Sequence, residues 1–326
     1  MSTPLHEAID LARRAVAAAS HLCLDVLADR SDDLAMEKAG AEPVTIADYG
    51  SQAVLLHHLR STRPDECVIA EEGADHLLRE AGSDGLATIV RLAELHTGAD
   101  ADIDTVCAWI DHSGSGGRYT WAIDPIDGTK GFLRGDQFAV AVGILEEGQV
   151  VGGVLGCPHL ELGGHRGVVV WAGRGLGAHV EPLSGSGSQS IRVDESAGPE
   201  SARMVGSVES AHGDPALVGA IVDGAGLGGG WVRLDSQVKY VAVAAGLADV
   251  YVRPRNRPEY RERIWDHAAG AAVVTEAGGR VTDLDGRDLD FSLGSRLEEN
   301  RGVVATNGVV HDLVLSAAAA AERSAD

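Results

Sequence analysis

Twelve residues, Trp121-Ala122-Ile123-Asp124-Pro125-Ile126-Asp127-Gly128-Thr129-Lys130-Gly131-Phe132, constrain this chain more than any other stretch. Two carboxylates stand three positions apart on either side of a proline, directly after an apolar segment, and a Gly-Thr follows at once. Pro125 fixes φ and lacks an N–H, so the pattern predicts a strand that stops there and a chain that turns. Such a turn can aim Asp124, the Ile126 carbonyl and Asp127 at one point. Gly128 lets the backbone approach closely, and Thr129 adds a hydroxyl. Oxygen donors grouped in this way suit a hard cation such as Mg²⁺, which keeps several waters and leaves room for substrate phosphate. An ordinary Asp/Pro/Gly turn between two strands is the competing reading.

Three further acids weigh against that reading. They are Asp48 in Pro43-Val44-Thr45-Ile46-Ala47-Asp48, Glu71 in Val68-Ile69-Ala70-Glu71-Glu72-Gly73, and Asp266 in Ile264-Trp265-Asp266-His267-Ala268. Each ends an apolar run or starts a helix, where a buried element meets a cleft. Taken singly, each reads as a helix cap or a solvated carboxylate; His267 reads as a hydrogen-bonding residue at a helix start.

The 326 residues suffice for one large two-part domain or two domains, and a hydrophobic share of 44% allows a sizeable core. No apolar run approaches the roughly 18 residues of a membrane span, and no charged segment followed by an apolar one marks a secretory signal. Cys23, Cys67, Cys107 and Cys157 are dispersed in apolar contexts, which points to core filling in a reducing cytoplasm and not to zinc. A net charge of −22 argues against nucleic-acid polymers and anionic membranes as partners. A small polyanion stays compatible if bound cations dominate the local field. Of 27 basic side chains only three are lysines, Lys38, Lys130 and Lys239, and the last two fall inside the motifs discussed here.

Leu5, Ile9, Ala12, Val16, Ala19, Cys23 and Val26 alternate at steps of four and three, which predicts an amphipathic helix with Thr3 as its cap. A second helix is expected after Asp48, and a strand over 66–70. Residues 73–117 read as loop-rich, with one helix near 86–92, serving as a flap or as surface decoration. Residues 138–145 with 150–155, and 167–171 with 176–180, read as hairpins of an antiparallel sheet. The run 184–190, Ser-Gly-Ser-Gly-Ser-Gln-Ser, reads as a flexible connector that divides the chain into halves 1–190 and 191–326. Strands at 204–208, 231–234, 249–252 and 280–282 alternate with helices at 215–222, 236–245 and 265–276, an α/β rhythm. In this scheme Ser236 and Lys239 share a helix face, Arg253 ends a strand close by, and Gly128 and Thr129 open a helix whose N–H groups face phosphate.

Asp-Pro-Ile-Asp-Gly-Thr, with Ala-Glu-Glu upstream and Trp-Asp-His-Ala-Ala-Gly downstream, resembles the lithium-sensitive, Mg²⁺-dependent phosphomonoesterases of the inositol monophosphatase superfamily. The segments 43–52, 128–135, 153–158, Asp235-Ser236-Gln237-Val238-Lys239-Tyr240 and Arg263–His267 are similar to its 3′(2′),5′-bisphosphate nucleotidase branch, and the likeness covers nearly the whole chain. This resemblance implies a mixed α+β and α/β fold layered α-β-α-β-α, with the site between the halves. It implies two or three Mg²⁺ ions on Glu71, Asp124, the Ile126 carbonyl, Asp127 and Asp266, and Asp48 with Thr129 as the water-activating pair. Substrate contacts are implied at Gly128, Thr129, His212, Ser236, Lys239 and Arg253. The implied reaction converts adenosine 3′,5′-bisphosphate to AMP and phosphate, with the 3′-phospho sulfate donor as a second substrate, in the sulfur metabolism of a cytoplasmic monomer or dimer. An inositol or sugar phosphate phosphatase on the same scaffold is the alternative, and a non-catalytic nucleotide or metal binder a more distant one. Gly213 and Gly206 depart from the serine and glutamate usual at their positions.

Overall fold

The computed structural model describes residues 3–28, 35–37, 43–185, 187–208, 214–255, 257 and 259–325. Helix α1 (Pro4–Ala28) buries the predicted stripe of Ile9, Ala12, Val16, Ala19, Cys23 and Val26, and the Thr3 hydroxyl accepts the His6 N–H at 3.3 Å. Strands β1 (Ala35–Glu37) and β2 (Pro43–Thr45) form a small antiparallel pair. Helix α2 (Ile46–Thr62) starts before Asp48, not after it, so this acid sits buried in the first helical turn. Strand β3 (Glu66–Ala70) lies where it was expected.

The stretch 73–117 is not loop-rich. It holds three helices, α3 (Ala74–Glu80), α4 (Ser83–Thr97) and α5 (Ile103–Ile110), the last capped by Asp102, whose carboxylate accepts the Thr105 N–H. Each helix buries only a few apolar side chains, Ile89, Leu92 and Ala93 from α4 and Val106, Trp109 and Ile110 from α5, in the core shared with α1 and α2. The polar outer faces hide that narrow stripe from a reading of local polarity.

Seven strands form the larger sheet, in the order β3-β4-β5-β6-β7-β8-β9. They include β4 (Gly116–Asp127), β5 (Ala139–Glu146), β6 (Gln149–Leu162), β7 (His165–Gly173), β8 (Gly177–Pro182) and β9 (Gln189–Ile191). The two expected hairpins are β5–β6 and β7–β8, and only β3–β4 is parallel. Helix α6 (Thr129–Arg134) bridges β4 and β5. Pro125 does not end β4. The ladder pairs Asp124 with Ala141 and Asp127 with Ala139, so Pro125 and Ile126 together stand opposite Val140. One extra residue on one strand is a β-bulge, and the missing proline N–H falls where the ladder is already interrupted.

The second sheet has the order β11-β10-β12-β14-β13, from β10 (Met204–Gly206), β11 (Trp231–Arg233), β12 (Val250–Arg253), β13 (Arg280–Thr282) and β14 (Val303–Thr306). Strands β11, β10 and β12 run parallel, while β14, which periodicity did not reveal, and β13 pair antiparallel. Helices α7 (Pro215–Gly224), α8 (Val238–Ala244), α9 (Ala268–Glu276) and α10 (His311–Ala325) complete the chain. Helix α8 begins after Ser236, whose φ of 60° leaves the helical region, so Ser236 and Lys239 do not share a helix face. Helix α9 likewise begins after Asp266.

Three cores stack the layers. Helices α1, α2, α4 and α5 cover one face of the larger sheet, α8 and α9 lie between the sheets, and α7 and α10 cover the outer face of the smaller one. The layering is α-β-α-β-α, as expected. The apolar middle layer packs the start of α9, directly after Asp266, on Gly143 of β5 and Gly153 of β6, where Ala268 and Ala269 leave no room for a Cβ.

Candidate active site

Parallel pairing sets Ala70 of β3 beside Ile123 of β4. The next residue on each strand is an acid, so Glu71 and Asp124 emerge side by side, and the Glu71 N–H donates to the Ile123 carbonyl at 3.2 Å. The bulge then swings Asp127 into the same region, while the Ile126 N–H donates to Asp124 Oδ1 at 3.1 Å. Ser51, one turn beyond Asp48 on α2, donates its hydroxyl to the Pro125 carbonyl at 2.8 Å. Gln52 brackets Glu72 on both sides: its Nε2 donates to the Glu72 carbonyl at 2.7 Å and its Oε1 accepts the Glu72 N–H at 3.0 Å. The backbone leaving Glu71 is thereby fixed.

Residues after the larger sheet contribute next. The Gln237 N–H donates to Asp127 Oδ2 at 2.6 Å, its side-chain Nε2 donates to the Trp265 carbonyl, and its Oε1 accepts the Gly270 N–H. One glutamine therefore ties Asp127 to the turn that carries Asp266. His267, at the helix start as expected, accepts the Tyr240 hydroxyl on Nδ1 at 2.6 Å and donates from Nε2 to Glu262 at 3.2 Å, roles assigned from the network. Glu262 also holds Arg253 at 3.0 Å, and Arg253 reaches Asp266 at 3.5 Å.

Charge links the predicted acids. Burial pushes the Asp124 carboxyl well above the usual carboxylate range, and Glu71, Asp127, Asp266 and Asp48 each push it further. Like charges gathered in a low-dielectric pocket favour protonation or a cation. The donors are carboxylate and carbonyl oxygens, with no thiolate or imidazole among the predicted set, which fits a hard divalent ion such as Mg²⁺. Among the described residues, the group of three whose ligand atoms fall within 4.8 Å of one another is Glu262, Asp266 and His267. Arg253 contacts two of these three and Tyr240 the third, so the trio is a satisfied ion-pair network. Burial opposes ionisation of Glu262, yet Arg253 and His267 hold it down at about 2.

Gly128 has φ 91° and caps α6, and a Cβ there would lie 3.0 Å from the Ser236 Cβ, so only glycine fits both its conformation and its neighbour. Thr129 opens α6 and donates its hydroxyl to the Ile126 carbonyl at 3.3 Å. Lys239 is buried, with its Nζ 5.5 Å from the centre of the Tyr251 ring. Burial lowers it to about 8 against the pull of Asp127, Asp235 and Asp266. Arg253 ends β12, as predicted. His212 and Gly213 lie outside the described residues.

Sequence reasoning did not single out Gln52, Asp235, Gln237 or Glu262. Asp235 accepts Arg134 at 2.6 Å and the Val208 N–H at 3.1 Å, joining α6 to the smaller sheet. Gln52, Asp235 and Gln237 stood inside quoted motifs. Glu262 had no signal beyond its nearness to one.

Residues 5–323 match the family model described as the inositol monophosphatase family. The chain belongs to that family. Within it, the chain is 40% identical over 320 residues to the 3′(2′),5′-bisphosphate nucleotidase of Oryza sativa, covering 91% of this chain and 89% of the relative. It is 39% identical to that of Emericella nidulans (86% and 89% covered) and 39% identical to the 3′(2′),5′-bisphosphate nucleotidase 1 of Arabidopsis thaliana (95% and 94%). Among solved structures it resembles the Thermotoga maritima IMPase (TM-score 0.68, 23% identity, 98% and 99% covered) and Mycobacterium tuberculosis SuhB (TM-score 0.64, 22% identity, 98% and 98% covered), a likeness of fold.

Proposed function

We propose that this chain is a Mg²⁺-dependent 3′(2′),5′-bisphosphate nucleotidase. It hydrolyses adenosine 3′,5′-bisphosphate to AMP and phosphate and acts on the 3′-phospho sulfate donor as well. The observation that carries this reading is the buried Asp124 carboxyl, raised by the charges of Glu71, Asp127, Asp266 and Asp48, beside a buried Lys239 and a half-buried Arg253 that suit a second phosphate. A monophosphate needs no second cationic clamp.

Bound Mg²⁺ would supply charge neutralisation at the ester and a more acidic water. Glu71, Asp124, the Ile126 carbonyl, Asp127 and Asp266 would hold it. Thr129 spends its hydroxyl proton on the Ile126 carbonyl, which leaves its lone pairs to orient a water, and Asp48 takes that water's proton. The water oxygen bonds to phosphorus, the bond to the ribose 3′ oxygen breaks, and that oxygen takes a proton from solvent water and leaves as the 3′-hydroxyl of AMP, while Asp48 returns its proton to solvent. Lys239 and Arg253 bind the phosphate that is retained, so the reacting ester is placed in line. Phosphate release from adenosine 3′,5′-bisphosphate and from inositol 1-phosphate, with and without Mg²⁺, tests this. Mg²⁺-dependent release that favours the nucleotide is expected. No release, or a preference for the inositol ester, overturns it.

A further inference from the structure

Glu262 is charged in a place where charge is costly. It is 3% exposed, in the segment between β12 and α9, and its Oε2 takes two donors, Arg253 Nη2 at 3.0 Å and His267 Nε2 at 3.2 Å. Its backbone carbonyl accepts the Leu297 N–H at 2.9 Å, which ties the residue to the segment ahead of β14. Behind it, the buried His267 accepts the Tyr240 hydroxyl at 2.6 Å. The Tyr240 ring fits there because α9 carries Gly270, where a Cβ would come within 2.3 Å of it. One chain of bonds thus runs from α8 through the start of α9 and Glu262 to the end of β12. A buried ion pair of this kind is on average no better for stability than apolar side chains of similar volume. What it fixes is direction, because a guanidinium is a rigid fork and a carboxylate on one arm sets where the rest points. Arg253 Nη2 also stands 3.5 Å from Asp266 Oδ2, at the outer limit of a hydrogen bond. Of these two carboxylates Glu262 is the anchor, and Asp266 stays available to a cation.

Resting on the nucleotidase reading, we propose that Glu262 is a positioning residue that holds Arg253 toward the retained 5′-phosphate and thereby sets the preference for a bisphosphate over a monophosphate. Without its charge, the other carboxylate within reach of Arg253 Nη2 is Asp266, and the guanidinium turns from the phosphate toward the cation site. His267 and Tyr240 keep Glu262 in place from behind. Glu262 acts on the substrate only through Arg253. Arg253 binds a phosphate that does not react, so its grip is equal in the ground state and the transition state. Loss of such a grip raises KM and leaves kcat.

The test is Glu262→Gln, which keeps an oxygen to accept from His267 and removes the charge. At saturating Mg²⁺ its KM for adenosine 3′,5′-bisphosphate should rise about tenfold, with kcat within about threefold of the parent. KM for adenosine 3′-monophosphate, which has no 5′-phosphate for Arg253 to hold, should stay within about twofold. Calorimetric binding of AMP, which keeps the 5′-phosphate, should weaken by about the same tenfold factor. In an Arg253→Met background, Glu262→Gln should add less than about twofold to either quantity, since its effect runs through Arg253. Tyr240→Phe, which removes the donor to His267 Nδ1, should raise the bisphosphate KM by about threefold and spare the monophosphate. If Glu262→Gln does not fold, this second variant decides, and an unselective change in it overturns the proposal. An equal rise in KM for both esters, an unchanged bisphosphate KM, or a full further loss on top of Arg253→Met also overturns it. A parent whose AMP binding depends on Glu262 but which releases no phosphate from the bisphosphate loses the reaction and keeps this role. A parent that releases it, with the same preference in Glu262→Gln, keeps the reaction and loses the role.

Discussion

Asp124 is 2% exposed, and four other carboxylates push its proton affinity up. A carboxyl whose folded pKa exceeds its unfolded value contributes stability at low pH that is lost as pH rises through the folded value. Metal-free protein should therefore lose stability as pH climbs from about 4 upward. Asp124→Asn should flatten that slope, raise the metal-free melting temperature near neutral pH by about 2–4 °C, and abolish Mg²⁺-dependent phosphate release. Thermal melts in chelator across pH, with a phosphate assay alongside, check all three, and a less stable variant without metal would contradict the electrostatic account. Lys239 titrates in the opposite direction. Burial lowers it to about 8, so the free enzyme loses this positive charge above that pH. KM for the bisphosphate should rise above about 8, and Lys239→Met should remove that limb of the profile at the cost of a higher KM below it. From this group alone, the unfolded chain holds more protons than the folded one between about 8 and the unfolded value near 10.4, so stability there should rise with pH.

Among the elements, the end of β4 decides most. Proline was expected to stop the strand, but the bulge carries pairing on to Asp127 and turns two acids toward one region while the sheet continues. The run into α6 depends on Gly128, and Gly128→Ala combines a left-handed φ with a contact at the Ser236 Cβ. Its expected cost is about 1–3 kcal/mol of stability, with a larger proportional fall in kcat than the melting temperature suggests, because Thr129 and Ser236 both shift. Denaturant unfolding and steady-state kinetics on the same variant measure the two effects. Strands β3 to β8 of the larger sheet were legible because alternation and turn residues mark them over many positions, but β9 takes up the end of the run read as a flexible connector, since Gln189 and Ser190 pair with β8. Helices α3 and α5 were not, since seven or eight residues with a few apolar side chains carry too little periodicity. The three residues of β1, and strand β14, owe their existence to a partner strand.

For the molecule as a whole, the candidate cation site joins the larger sheet to the helical layer between the sheets. Glu71, Asp124 and Asp127 come from the larger one, and Asp266 precedes a helix packed between the two. An ion held by all four binds only the folded arrangement, so Mg²⁺ at about 100 times its Kd should add about 2.7 kcal/mol of stability. Amide exchange should slow together at the end of β4 and at the start of α9. Slowing confined to one half would contradict a shared site.

The sequence by itself determined the chemistry on offer: which acids, which lysine and arginine, a glycine where no side chain fits, and a layered α/β frame. These follow from local spacing and from motif, both written in the order of residues. Only the tertiary structure decided that a bulge, not a turn, presents Asp124 and Asp127. It also decided that Ser236 lies outside the helix of Lys239, and that Gln237 and Glu262 hold the site from behind. Those outcomes depend on which distant segments share a low-dielectric interior, and burial and charge act through space and not along the chain.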